Sequence, residues 1–322
     1  MANKIKGEVK MQTIQERVHS IAVLCGGSSS ERSVSINSGL GAKEALLEAG
    51  FEATLLDPAK KEDLLELING TYDLAFLCLH GRGGEDGCIQ GFLDTIGMPY
   101  TGSDVESSSL AMNKALSKQV YLAAGIPTPA SIALKLNENY DAREIVNQIG
   151  EHCVVKASGE GSSVGVYLVE DAETLNAVIA QAFEYDTTVL VEQFVAGAEY
   201  TCAVIGNSEL EALPIIQIIP QDEFYDYESK YAPGGSKHIC PAPLDAALAK
   251  EIQEIAKAAH IALGCKGVSR TDFIVDENGK PWVLETNTLP GMTKTSLLPD
   301  AARAQGYTFA QLCTKLVEFA LE

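Results

Sequence analysis

A chain of 322 residues that is 46% hydrophobic and 21% charged is neither a disordered protein nor, lacking any apolar run near the ~20 residues a bilayer demands, a membrane-spanning one. Its 44 acidic against 24 basic residues give a net charge of -20. That charge repels phosphate backbones and makes nucleic acid a poor partner, while small anions can still bind at focused basic residues. Eight cysteines stand singly, with no C-x-x-C pair. They read as reduced, buried thiols of a cytoplasmic protein, not as a disulfide framework or zinc site.

Residues 1–19 form a polar extension with no apolar stretch, so a signal peptide is not expected. A first strand over Ser20–Leu24 runs into Gly26-Gly27 and a serine cluster. A helix then continues through Leu46-Leu47, followed by a strand near Ala53–Leu56 and a helix near Leu64–Ile68. An apolar strand at Leu74–Leu79 enters the glycine-rich His80–Gly87, after which come a helix over Cys88–Ile96 and a short strand before Thr101-Gly102. This alternation predicts a parallel sheet covered by helices, with the site in loops at the strands' C-terminal ends.

A helix over Leu110–Ala124 leads to Gly125-Ile126-Pro127-Thr128-Pro129, loop chemistry that marks a boundary. Strands at Cys153–Lys156 and Val164–Val169 flank the loop Ala157–Ser163, and another at Val189–Val191 ends at Glu192–Val195. From Glu199 the chain is strand-rich up to a helix near Leu248–Leu263. A hairpin over Thr271–Glu285 and a helix over Phe309–Leu321 complete it. The division expected is 20–112, 113–198 and 199–322.

The hairpin carries the sharpest chemistry. Asn278-Gly279 between apolar runs is a preferred two-residue turn. Counting outward, Val275 faces Trp282 and Asp272 faces Glu285. Like charges directly opposite are destabilising unless neutralised. Asn287 falls on the same face as Glu285. Two carboxylates and an amide oxygen suit magnesium that bridges phosphates, although a solvated acidic hairpin has the same sequence. A second signal is Lys156 before the Gly/Ser loop 157–163, whose N–H groups and hydroxyls suit anionic oxygens. It is not a Walker A loop, because the lysine precedes it and a strand follows. His80 ends an apolar strand, where substrate contacts gather. Asp86 is expected to cap the next helix, and Ser28 with Glu31 fits a capping box.

These segments, in this order and over nearly the whole chain, closely resemble the bacterial D-alanine–D-alanine ligases of the ATP-grasp superfamily. The resemblance rests on Gly26-Gly27-x-Ser-x-Glu31-Arg32, on His80–Gly91, and on Lys156…Glu160-Gly161-Ser162-Ser163-Val164-Gly165. It continues through Phe224–Tyr231, Gly264-Cys265-Lys266-Gly267…Arg270-x-Asp272 and Leu284-Glu285-x-Asn287-x-x-Pro290-Gly291-Met292-Thr293. Two departures stand out: Thr286 between the metal-binding residues, where an aliphatic residue or alanine is usual, and Ala157 in place of a common proline.

The resemblance implies an α/β ATP-grasp fold with an N-terminal Rossmann-like domain, and a homodimer that uses ATP and two magnesium ions, manganese substituting, to join two D-alanine molecules for peptidoglycan synthesis. It implies Asp272, Glu285 and Asn287 as metal ligands and Lys114 and Lys156 as phosphate contacts, with Ser162 and Ser163 in the phosphate loop. Glu192 and Val195 would offer backbone groups to adenine, and Glu199 would hold the ribose. Glu31 would bind the first ammonium, with His80 near its carboxylate. Arg270 and the Gly291 N–H would stabilise the reacting acyl group. Lys230 and Ser296 would serve the transferred phosphate and the second carboxylate. Tyr231 would join Ser162 and Glu31 to close a mobile loop, roughly Asp222–Lys237, over the site. Lys114 and Lys118 share one helix, where solvated lysines are common, and Ser296 also fits a simple helix cap. The rival activities are a ligase of the same mechanism that accepts D-serine or D-lactate, and a catalytically silent ATP-grasp module.

Overall fold

The structure, a computed structural model, describes residues 13–161, 164–220 and 236–322. The first sheet contains β1 (Ser20–Leu24), β2 (Glu52–Leu56) and β3 (Leu74–Leu77), all parallel, in the order β2-β1-β3. Ile21–Leu24 are fully buried, as an apolar strand between two parallel neighbours must be. The expected short strand before Thr101 is a single parallel bridge between Ala75 and Tyr100. Helices α1 (Ile14–Arg17), α2 (Arg32–Glu48), α3 (Lys61–Asn69), α4 (Cys88–Ile96) and α5 (Val105–Met112) connect and cover this region.

Then follow α6 (Lys114–Ala123), β4 (Ser131–Lys135), α7 (Ala142–Ile149), β5 (Cys153–Ala157), β6 (Val166–Val169), α8 (Leu175–Ala182) and β7 (Thr188–Gln193). Their four strands pair antiparallel as β4-β7-β5-β6. The expectations above omit β4, α7 and α8. A signal for α7 was present: Asp141 accepts from the Arg143 N–H at 2.8 Å, and Ile145 and Ile149 fall four apart on the buried face.

The third sheet has the order β11-β10-β8-β12-β13, with β9 (Glu211–Ala212) beside β8. Its strands are β8 (Gly197–Gly206), β10 (Ile216–Pro220), β11 (Ser236–Ile239), β12 (Gly267–Asp276) and β13 (Pro281–Asn287). Helix α9 (Ala246–Ala262) covers one face, capped by Asp245, which accepts from the N–H groups of Ala247 and Leu248. Tyr200, Cys202, Phe273, Val275 and Val283 pack beneath it. Alternation along the strands turns Glu199, Thr201, Arg270 and Asp272 to the opposite face. Helices α10 (Leu297–Gln305) and α11 (Phe309–Phe319) close the chain. They share one apolar cluster with β1, β3 and β8, so the first and third sheets have a common core while the central sheet has its own.

Candidate functional site

The hairpin places its acids face to face by a route different from the expected one. Near the tip Val275 pairs with Pro281 and Ile274 with Trp282, one residue out of the predicted register. The tip is a wider loop: Gly279 takes φ +78°, its N–H donates to the Asp276 carbonyl, and Asp276 Oδ1 accepts from the Asn278 and Lys280 N–H groups. A bulge between Asp272 and Phe273 then shifts the ladder back, so that Asp272 does pair with Glu285 and Arg270 with Asn287.

Cations already neutralise the facing carboxylates. Arg270 grips Asp272 with two hydrogen bonds, Nε to Oδ1 at 3.0 Å and Nη2 to Oδ2 at 2.9 Å. Thr201 and Asn287 also donate to Asp272. Glu285 lies 3.2 Å from Lys114 Nζ, which donates to the Glu160 carbonyl at 2.6 Å. Among the described residues no three His, Cys, Asp or Glu side chains form a metal cluster. The constellation is two carboxylates and an amide oxygen, hard donors that fit magnesium and not zinc.

On the opposite face of β12 and β13 the unusual Thr286 finds its reason. Its Oγ1 lies 3.0 Å from Thr271 Oγ1 and accepts from the buried Tyr121 hydroxyl at 2.9 Å. Ala157, the other departure, uses an N–H that proline lacks, donating to the Gly165 carbonyl at 2.9 Å across the base of the glycine loop.

A cavity of about 1030 Å³ lies against the face that carries Glu199, Arg270 and Asp272. Glu31, His80, Lys114, Glu199, Arg270, Asp272, Glu285, Asn287, Gly291 and Ser296 all line it. Lys156, Glu192 and Val195 sit outside it, on and just beyond the central sheet. Ser162, Ser163, Lys230, Tyr231 and residues 222–235 of the lid expected over Asp222–Lys237 lie outside the described residues, while its last two positions belong to β11.

Glu31 is the first residue before α2, and no capping box forms there: Ser29, not Ser28, accepts from the Glu31 N–H and donates to the His80 carbonyl at 2.7 Å. Glu31 Oε2 sits where a side chain on Gly81 or Gly161 would begin, 3.0 Å and 3.2 Å from their ideal Cβ positions. Both glycines therefore let the histidine loop and the Gly/Ser loop close around one carboxylate. Gly87, not Asp86, is the residue at the head of α4, although Asp86 Oδ1 still accepts from the Cys88 N–H. His80 is buried, with Nε2 3.3 Å from Ser38 Oγ. Burial lowers its pKa, against the Glu31 carboxylate and with Arg270. Ser296 precedes α10 without capping it: its Oγ accepts from the Thr293 N–H at 3.0 Å.

The motif reading missed two titratable groups. Glu85 lines the cavity, and burial together with Glu31 pushes its carboxyl up to about 8. His238 lines it from β11: Glu199, Ile218 and His238 pair side by side on the site face of the sheet. Neither lysine of α6 is solvated. Lys114 is buried against Glu160 and Glu285, and Lys118 is 2% exposed.

Residues 120–318 match the family described as D-ala D-ala ligase C-terminus, and residues 61–103 match that described as D-ala D-ala ligase N-terminus. A D-alanine--D-alanine ligase of Desulforamulus reducens is 45% identical over 310 residues, covering 94% of this chain and 98% of its own. This chain belongs to the D-alanine–D-alanine ligase family. The crystal structure of D-alanine--D-alanine ligase from Bacillus anthracis superposes with a TM-score of 0.84 at 37% identity, covering 94% and 97% of the two chains. The same protein complexed with ATP gives 0.83 at 35% identity, with the same coverage. The VanG D-Ala:D-Ser ligase of Enterococcus faecalis gives 0.82 at 31% identity, covering 94% of this chain and all of the other. The α/β ATP-grasp fold expected of this ligase family is thus the fold observed.

Proposed function

We propose that the chain joins two D-alanine molecules at the cost of one ATP, the dipeptide serving peptidoglycan synthesis. The observation that carries this reading is that one cavity brings Arg270, Asp272, Glu285 and Asn287 together with Glu31 and His80, in a chain that matches the family over residues 61–103 and 120–318. Units 20–112, 113–198 and 199–322 each supply part of the site. ATP occupies the space between the central and third sheets, with Lys114 and Lys156 on its phosphates, Ser162 and Ser163 over them, Glu199 on the ribose and the Glu192–Val195 backbone on the adenine. Two magnesium ions at Asp272, Glu285 and Asn287 supply charge neutralisation at the transferring phosphate when bound.

Glu31 holds the ammonium of the first D-alanine. His80, kept neutral by burial, donates a hydrogen bond near its carboxylate without adding charge. That carboxylate takes the γ-phosphoryl group to give an acyl-phosphate and ADP. The second D-alanine, its carboxylate at Ser296 and Lys230, attacks as the free amine after losing a proton, and phosphate departs. Arg270, fixed by its two bonds to Asp272, and the Gly291 N–H meet the developing oxyanion. Tyr231 with Ser162 and Glu31 shuts the loop over this chemistry. The chain works in the cytoplasm as a homodimer. Eight thiols free of disulfides fit that compartment, and no helix among the described residues is long and apolar enough to cross a membrane.

A guanidinium at a developing charge matters more in the transition state than in the ground state. Arg270→Ala therefore lowers turnover by on the order of 10²–10³ while ATP affinity stays nearly constant. Steady-state kinetics beside ATP titration decides it: a defect confined to ATP binding would move Arg270 from the acyl group to the nucleotide.

A further inference from the structure

Lys118 has no part in the mechanism above, yet it is a lysine with 2% exposure. Its Nζ donates to Thr128 Oγ1 at 2.6 Å and pairs with Glu192 Oε2. Glu192 is buried as deeply, and its other oxygen, Oε1, accepts from Lys156 Nζ at 2.6 Å. Helix α6 and strands β5 and β7 thus bring together a cluster of two cations and one anion. Burial alone would raise the Glu192 carboxyl, but Lys156 and Lys118 hold it below its usual range, so it is a carboxylate there. Thr128 in turn donates to the Val283 carbonyl at 2.7 Å, which ties the cluster to β13 of the metal hairpin.

A carboxylate next to Lys156 would cancel the charge that Lys156 offers to ATP, unless a second cation balances it. Too buried to reach a nucleotide, Lys118 can act only through its neighbours, and Glu192 is the charged group it touches. We infer that Lys118 is a positioning residue for ATP: it neutralises Glu192 so that Lys156 is held in place by that carboxylate yet keeps a net positive charge for the phosphates. Each carboxylate oxygen serves one lysine, which is the arrangement this division of labour requires. The inference rests on the assignment of Lys156 to the phosphates.

The test is a charge-balance series on the full-length enzyme, reading KM for ATP, KM for D-alanine and kcat, with circular dichroism for folding. Lys118→Met leaves Glu192 to Lys156 alone, and KM for ATP rises by about tenfold or more with D-alanine KM unchanged. Lys118→Arg, which keeps the charge, stays near wild type. Adding Glu192→Gln to Lys118→Met removes the uncompensated carboxylate and recovers most of the loss. Should Lys118→Met not fold, Lys118→Gln carries the same expectation, since it can still donate to Thr128 but bears no charge. A Lys118→Gln enzyme with native ATP dependence, or a double variant no better than Lys118→Met, overturns the inference in favour of a packing role. Lys156→Met tests the underlying assignment separately. If its ATP dependence is native, the phosphate role of Lys156 falls; if it is impaired while Lys118→Met is native, only the role of Lys118 falls.

Discussion

Glu85 and Glu31 put two carboxyl groups on one side of the cavity, and the first of them is forced to stay neutral at neutral pH. Burial is the main cause and the Glu31 carboxylate the next, opposed by the Gly81 N–H, which donates to Glu85 Oε2 at 2.7 Å. With a folded pKa of about 8 against an ordinary 4.5, the native state holds a proton that the unfolded chain releases. This group's stabilisation is thus complete below pH 4.5 and is lost as pH rises toward 8. Glu85→Gln, a permanent mimic of the neutral acid, removes that titration. Melting curves of the substrate-free proteins between pH 5 and 8.5 show wild type losing ground to the variant as pH rises; parallel curves would refute the shift. Glu85 was in view in the sequence, inside the motif that begins at His80, but glycine-rich spacing speaks of turns and not of which acid is walled in. Lys118 was hidden for the same reason, because burial of a lysine on α6 is decided by the central sheet packed against it. The facing of Asp272 and Glu285 was anticipated by counting from the turn, but it is a bulge beside Asp272 that produces it.

At the scale of the element, the β12–β13 hairpin shows how a correct pairing can arise from an incorrect turn. The Asn-Gly signal named the place of the turn, but Asp276 captures the Asn278 and Lys280 N–H groups and widens the loop. The bulge at Asp272/Phe273 then restores the facing of Asp272 and Glu285. Repulsion between these acids would suggest that neutralising one stabilises the metal-free protein. The observed partners reverse that expectation, because Asp272→Asn strips Arg270 of a bidentate carboxylate. The variant is less stable by about 1–3 kcal/mol without magnesium, as expected for lost charge-assisted hydrogen bonds. It also gains less melting temperature than wild type when magnesium and ATP are added. Thermal melts with and without the ligands check both halves, and a more stable metal-free variant would contradict the role of Arg270 as counter-ion. Short elements such as α8 escaped the sequence reading because Leu175–Ala182 is apolar on several sides, so its period is faint until the central core defines a face.

Across the whole molecule, three sheets are arranged so that one glycine loop links them, the third by way of Lys114. Arg82 of the histidine loop pairs with the Glu160 side chain at 2.7 Å, the Glu160 carbonyl accepts from Lys114, and Lys114 pairs with Glu285. The histidine loop, the glycine loop and the β12–β13 hairpin are therefore joined in a chain of contacts, which suits a reaction whose two steps share one acyl group. The alternation of strand and helix made the parallel sheet legible, and the family resemblance supplied the rest of the architecture. The shared core of the first and third sheets was not legible, because the residues the two sheets bring to it are separated by more than one hundred positions. The acceptor is the point on which the account depends most, since its solved relatives include a D-Ala:D-Ser ligase. The most direct measurement is phosphate release together with product analysis, with D-alanine alone and then with D-serine or D-lactate in competition, at neutral pH with magnesium and ATP. The account predicts one phosphate per D-alanyl-D-alanine, formed from D-alanine alone and dominant in competition; no ATP turnover with D-alanine, or a dominant mixed product, would contradict it.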